Sequence, residues 1–191
     1  MYDLVLFDLD GTLTDSKEGI IGAVQYAMHE MSLPPADSAE ILSYIGGPFR
    51  EELRRAHGFD RSQADRFVEL YREYYLETGI HQNRIYDGIE ELLADLHGSG
   101  KVLAVATAKP SEQAETVLVN FKLRQYFGLI AGSKPMGDRS AKVEVIRYAL
   151  SQLVPPDLSK VVMVGDRCHD ILGAHENGID SVAVTYGYGS D

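Results

Sequence analysis

Cysteine is nearly missing: Cys168 is the single one among 191 residues. That excludes an internal disulfide framework and makes a reducing cytoplasm the expected compartment. Basic residues are scarce as well. Eighteen Lys and Arg stand against 29 Asp and Glu, a formal charge of −11, so no basic face for nucleic acid is expected. No apolar run approaches the roughly 20 residues that a membrane span requires. A secretory leader is not expected either, because the first apolar run is short and ends in Asp8. No internal repeat, low-complexity tract or long linker interrupts the chain. What remains is ordinary globular composition, 45% hydrophobic and 25% charged, on a chain long enough for one domain with a sizeable insertion.

The rest of the chain is organised around the stretch Leu4 to Thr14. Leu4-Val5-Leu6-Phe7 reads as a strand buried on both faces. It delivers Asp8 and Asp10, two residues apart and succeeded at once by Gly11, which permits a sharp backbone turn. Residues i and i+2 of a strand point the same way, so both carboxylates can approach one small volume, with the Thr12 hydroxyl beside them. Such a pair suits a divalent cation and an anionic substrate, with one carboxylate acting as nucleophile or acid/base. Asp-Gly is also a common tight-turn dipeptide. A hairpin would need a returning, alternating strand after Gly11. Instead Ile20, Ile21, Val24, Ala27, Met28 and Met31 recur at helical spacing over Lys17 to Met31.

From 17 to 80 the pattern is helical throughout. Asp37 or Ser38 caps a short helix through Tyr44, Gly46-Gly47-Pro48 is a turn, and Pro48 opens a helix to about His57. Ser62 with Asp65 starts another, whose Phe67, Leu70, Tyr71 and Tyr74 form one face before Gly79. From about Arg84 helices and strands alternate. Strands are expected at Lys101–Ala106, Leu129–Ala131, Val161–Val164 and Val182–Val184. Helices are expected at Gly88–His97, Ser111–Asn120, after a Ser140 cap, and at His169–Asn177. Single helices between strands imply right-handed crossovers and a parallel sheet.

Ligands of open parallel sheets bind beyond the carboxyl ends of the strands. Three of these ends carry polar groups: Asp8 with Asp10, Thr107, and Asp166 with Asp170. Lys142 joins them from the first turn of a helix. Singly, each fits a turn, a solvated lysine or an acidic helix entry. Jointly, at one sheet edge, they make a phosphate site in which a metal ion would neutralise charge while Thr107 and Lys142 hold phosphoryl oxygens.

The series Asp8-Leu9-Asp10-Gly11-Thr12-Leu13, Thr107, Lys142 and Gly165-Asp166-Arg167-Cys168-His169-Asp170 resembles the four-motif signature of the haloacid dehalogenase-like hydrolase superfamily. Thr107-Ala108-Lys109-Pro110 and Arg139-Ser140-Ala141-Lys142 are similar to its phosphoglycolate phosphatase-like branch. The resemblance implies an α/β fold: a doubly wound parallel sheet formed by 1–15 and 84–191, with 16–83 inserted as an α-helical cap. It implies a phosphatase acting on a small phosphomonoester, phosphoglycolate-like or a nucleotide 5'-monophosphate, through an aspartyl-phosphate. Asp8 would be the nucleophile and Asp10 the acid/base, its carbonyl also binding Mg²⁺. Thr107, Ala108 and Lys142 would hold the phosphoryl group, and Asp8, Asp166 and Asp170 would complete the metal shell. It further implies a monomer or homodimer in the cytoplasm, with no nucleic acid or membrane as partner. The family's pattern continues with a further strand and helix beyond the last strand, where this sequence has only Thr185 to Asp191.

Other readings share parts of this pattern. Dehalogenases of the superfamily lack the second carboxylate that Asp10 supplies. A phosphonatase needs a cap lysine, and 16–83 holds only Lys17. A sugar phosphomutase uses the same core, but the similar members carry a hinge histidine where this chain has Ile20 and Ile21. A phospho-accepting signalling module has no cap inserted after its first strand, and a non-catalytic binding descendant would not need all four groups, Asp8, Thr107, Lys142 and Asp166, intact. Gly46-Gly47-Pro48 with Arg50 resembles the family's cap specificity loop, so Arg50 is expected to read a substrate carboxylate or second phosphate through its paired donors. Hinges are expected near Thr14 to Ser16 and Asn83 to Tyr86.

Overall fold

A computed structural model of the chain describes residues 1–44, 49–134 and 139–189. The strands are β1 (Leu4–Phe7), β2 (Thr14–Asp15), β3 (Arg84–Ile85), β4 (Val102–Pro110), β5 (Leu129–Ser133), β6 (Val161–Gly165) and β7 (Asp180–Ala183). The helices are α1 (Lys17–Glu30), α2 (Ser38–Ser43), α3 (Phe49–His57), α4 (Arg61–Glu77), α5 (Ile89–Gly98), α6 (Ser111–Asn120), α7 (Lys142–Leu153) and α8 (Cys168–Glu176). The chain divides into two compact units, Met1–Asp15 with Ile85–Asp191, and Ser16–Arg84.

In the first unit five strands run in the order β5-β4-β1-β6-β7, all parallel. The β1 strand is central because its neighbours on both sides are apolar runs of matching length: Leu4 pairs with Val102 and Val161, Phe7 with Val105 and Val164. One sheet face carries Leu4, Leu6, Ala104, Ala106, Val161 and Met163 into a core closed by Val145, Ile146 and Ala149 of α7 and Ala174 of α8. The alternate residues Val5, Phe7, Leu103 and Val105 are buried too. A run apolar at every position is what a strand covered on both faces demands. The strands β2 and β3 form a separate two-stranded sheet. Among the described residues no helix is long and apolar enough to cross a membrane.

The second unit holds α1 to α4. The α1 helix buries Ile20, Ala23, Val24, Ala27 and Met28, and α4 buries Ala64, Phe67, Val68, Leu70 and Tyr75. An aromatic cluster gathers around Phe67, with Phe49, Phe59 and His57 rings within 6.4 Å of it.

Several boundaries differ from the sequence expectation, each for a local reason. The α4 helix is capped by Asp60 and Gln63, which exchange side-chain and backbone hydrogen bonds of 2.8 and 3.0 Å, rather than by Ser62 and Asp65. Ser140 is not the cap of α7; Glu144 folds back to accept from the Ser140 and Ala141 N–H groups at 2.8 and 3.0 Å. The β4 strand runs beyond Ala106 to Pro110, its register with β5 shifting between those two residues. The β7 strand starts at Asp180, since the turn at Gly178 has a φ of +71° that returns the chain to the sheet at once. Gly46-Gly47-Pro48 lies outside the described residues.

Candidate active site at the carboxyl edge of the sheet

The backbone beyond β1 continues the sheet for one residue and then turns. Asp8 N–H donates to the Val164 carbonyl at 2.9 Å, after which the N–H groups of Thr12, Leu13 and Thr14 all return to the Leu9 carbonyl. Gly11 makes this turn with φ +87°, and a Cβ there would stand 2.4 Å from Asp166 Oδ2. Glycine is needed twice over, for the backbone angle and for the space. Leu9 and Leu13 are fully buried beneath the turn and fix it in place.

Asp8 lies at the centre. Its Oδ1 accepts the Leu9 N–H at 2.8 Å and lies 2.7 Å from Lys142 Nζ, and its carboxyl is hydrogen-bonded by the Thr107 side chain. Lys142, the first residue of α7, is buried; it donates to the Ala106 carbonyl at 3.0 Å and lies 2.7 Å from Asp170 Oδ1. Asp170 Oδ2 accepts the Arg167 N–H at 3.0 Å at the start of α8. Asp166 comes directly after β6, its Oδ1 accepting from the Thr12 hydroxyl at 3.3 Å and its Oδ2 from the Tyr188 N–H at 2.7 Å.

The charges explain the proton affinities. Burial pushes the Asp8 carboxyl up to about 6, helped by the Asp170 charge and opposed by Lys142. Burial alone would push the Lys142 ammonium down, but the Asp170 and Asp8 carboxylates outweigh it and hold the ammonium above its ordinary range. Asp166 is raised by burial and then by the Asp8 charge, against the pull of the Tyr188 N–H.

Asp8, Asp166 and Asp170 each offer a buried carboxylate oxygen, the three within 4.8 Å of one another. Against them stands the Lys142 ammonium, so the cluster keeps an excess of negative charge away from water. An all-oxygen, carboxylate-rich set with a charge deficit fits a hard divalent cation. Asp10 is not in this group. Its Oδ2 lies 2.8 Å from Lys109 Nζ, both side chains buried. Thus the structure brings together Asp8, Thr107, Lys142, Asp166 and Asp170, and turns the Asp10 carboxylate to a partner of its own. Ala108 is half-buried in β4 just beyond Thr107. Arg50, in the helical unit, is held at 2.6 Å by Asp65 of α4.

Two features are not evident from the sequence. The pairing of Lys109 with Asp10 is one; alternation along β4 puts Lys109 on the same side as Thr107, but only if the strand continues past Thr107. The other is the Tyr186 to Gly189 segment, which lies against Asp166. The Tyr186 hydroxyl donates to the Thr12 carbonyl at 2.9 Å, the Tyr188 hydroxyl to Asp15 at 3.1 Å, and the Arg167 guanidinium to the Tyr188 carbonyl at 2.9 Å. The Tyr86 ring packs on Tyr186, with centroids 4.7 Å apart. Two tyrosines alternating with glycines are the only sequence trace of it.

The chain is similar to known proteins over its whole length. A sequence profile described as haloacid dehalogenase-like hydrolase matches residues 5–184. A 5'-nucleotidase from Pseudomonas aeruginosa is 41% identical over all of the chain and 86% of its own length. A tyrosine-protein kinase, PtkA, from Mycobacterium tuberculosis is 44% identical over 97% of the chain, which spans 63% of that protein. The crystal structure of a predicted phosphatase from Clostridium acetobutylicum superposes with a TM-score of 0.95 at 40% identity, covering all of this chain and 88% of that one.

Proposed function

Because the chain belongs to the haloacid dehalogenase-like hydrolases and is a phosphatase of that family, we propose that it hydrolyses a small phosphomonoester with Mg²⁺ through an aspartyl-phosphate on Asp8. The observation that carries this reading is the convergence on Asp8 of groups from four places in the chain: Thr107 from β4, Lys142 from α7, and Asp166 and Asp170 from the end of β6 and the start of α8.

The Asp8 carboxylate attacks phosphorus, and the bond from phosphorus to the ester oxygen breaks. Asp10 gives its proton to the departing alkoxide. It then takes a proton from water, which attacks phosphorus and breaks its bond to Asp8, releasing inorganic phosphate. Lys142 and Thr107 hold the charge of the transferring group, and such positioning and charge stabilisation supply most of the acceleration in phosphoryl transfer. Asp8, Asp166 and Asp170 would hold the divalent cation, which when bound neutralises phosphate charge. Burial prepares Asp8 for this role. A carboxylate stripped of water is a stronger nucleophile than a hydrated one, while a proton affinity near pH 6 leaves it mostly ionised at neutral pH.

For the substrate we propose a nucleoside 5'-monophosphate or a carboxylated phosphoester such as phosphoglycolate, with Ser16–Arg84 acting as a cap that hinges over the site. The similarity to a protein named 5'-nucleotidase supports the first. Arg50 is the candidate reader of an anionic substrate group. Asp65 already accepts from its Nε at 2.6 Å, so such a group would engage this guanidinium beside or in place of Asp65.

The test is phosphate release from a panel of phosphoesters, with Mg²⁺ and with chelator, by wild type and Asp8→Asn. The expected result is Mg²⁺-dependent release by the wild type, reduced by at least about 1,000-fold in the variant, as loss of a nucleophile demands. Release that survives in Asp8→Asn contradicts the mechanism. The similarity to PtkA adds a second arm with ATP and a tyrosine peptide. Transfer to the peptide in preference to water would replace hydrolysis by a phosphotransferase reading.

A further inference from the structure

We propose that Lys109 is a positioning residue for the acid/base carboxylate, fixing the orientation of Asp10 through Oδ2. The inference rests on the phosphatase reading and adds to it a residue that no motif role accounts for. Lys109 Nζ lies 2.8 Å from Asp10 Oδ2, with side chains 4% and 10% exposed. A buried ammonium is tolerated only where a partner compensates the lost water. Asp10 supplies such a partner to Lys109.

The backbone beneath the lysine is fixed as well. The Lys109 N–H donates to Thr107 Oγ1 at 3.2 Å. A Cβ on Gly132 would stand 2.5 Å from the Lys109 carbonyl oxygen, so the glycine in β5 lets the end of β4 lie directly against it. Pro110 comes next and pairs in register with Ser133. One strand end thus serves both catalytic carboxylates, Thr107 on Asp8 and Lys109 on Asp10. The two aspartates leave the same turn but take different lysines, Asp8 with Lys142 and Asp10 with Lys109. In the first step the proton moves from the Asp10 carboxyl to the leaving oxygen as its bond to phosphorus breaks. A carboxyl free to rotate would miss that oxygen, and positioned proton transfer typically contributes about 10²–10⁴-fold.

The experiment compares kcat/KM of wild type, Lys109→Met and Lys109→Arg on an alkyl phosphate and on p-nitrophenyl phosphate. This constant reports the steps through departure of the leaving group, and p-nitrophenolate departs without a proton. Lys109→Met is expected to lose about 100-fold on the alkyl ester and less than about tenfold on p-nitrophenyl phosphate, and Lys109→Arg to recover part of the alkyl loss. On an Asp10→Asn background, adding Lys109→Met is expected to cost nothing further, since the lysine acts through the carboxylate. Equal losses on the two esters, or a full further loss on the Asp10→Asn background, would show that Lys109 holds the phosphoryl group or merely the fold, and would overturn the inference. If Lys109→Met does not fold, Lys109→Gln is read in the same comparison with the same criteria. Failure of the phosphatase reading itself looks different: the wild type releases no phosphate, or Asp8→Asn keeps its turnover.

Discussion

At Asp8 burial, the Asp170 charge and the Lys142 ammonium act on one proton, and burial is the largest of the three. The folded carboxyl is raised to about 6 from the ordinary 3.8. Its contribution to stability is therefore fully present below about pH 4 and is lost as pH rises through about 6. In chelator, wild type is expected to lose stability relative to Asp8→Asn over that window. At about 1.4 kcal/mol per unit, the difference is on the order of 2–3 kcal/mol, or several degrees of Tm for a chain of this size. Thermal melts of the two proteins at pH 4.5 and 8 check it: the variant should be the more stable at pH 8, with the gap closing toward pH 4.5. A variant less stable than wild type at pH 8 contradicts the dominance of burial over the Lys142 attraction. Asp8 and Asp10 are both legible as chemistry from their spacing and from Gly11. Their different partners are not, because sequence spacing says which side of a strand a side chain leaves from and not which lysine meets it.

The ends of β1, β4 and β6 deliver groups to the site, and how well each can be anticipated depends on how local its geometry is. The strands β1 and β6 end where their apolar runs end, so pattern alone places Asp8 and Asp166. The β4 strand does not. Its register shift between Ala106 and Pro110 carries the strand past Thr107, and a shift against a neighbouring strand leaves no trace in the periodicity of its own sequence. That is why the pairing of Lys109 with Asp10 is not legible there, although the residue stands in a recognisable motif. The Tyr186 to Gly189 segment is hidden for a related reason: its order comes from hydrogen bonds to Asp166, Thr12, Asp15 and Arg167, all distant in the chain. Gly187 is a position where this element admits no side chain without moving, since a Cβ would stand 2.4 Å from Asp166 Cβ and from the Gly11 carbonyl oxygen. Gly187→Ala is expected to shift the segment, weaken the Tyr188 hydrogen bond and misorient Asp166. Outer partners of metal ligands are typically worth about 10–100-fold in affinity. Calorimetric titration of Mg²⁺ into the wild type and the variant should show a loss of that order, with the fold retained by circular dichroism. Unchanged affinity would mean that Tyr188 does not orient the carboxylate.

For the whole molecule, the parallel sheet with its inserted helices is legible in the change of pattern near Arg84, a switch from all-helical to alternating elements that no local ambiguity could hide. The order β5-β4-β1-β6-β7 puts β1 between the strands that supply Thr107 and Asp166, so the groups meet although they are spread along most of the chain. The central strand carries Asp8, the proposed nucleophile, for the same reason. Every other contribution is within reach of the middle of a five-stranded sheet, and of no edge. The formal charge of −11 sits uneasily with the proposed anionic substrate; at the site itself Lys142 and Lys109 offset part of the local charge, and a divalent cation held there would offset more. Substrate choice is the least legible property: the residues expected to set it include Gly46-Gly47-Pro48, outside the described residues, and Arg50, which the helical unit itself occupies through Asp65. The most direct measurement is acid quenching of the wild type during Mg²⁺-supported turnover, with mass spectrometry of the peptide that holds Asp8. The prediction is one phosphoryl group on Asp8, absent in chelator and in Asp8→Asn. Sustained turnover with Asp8 never modified, and the same turnover by Asp8→Asn, would contradict a covalent role for this residue.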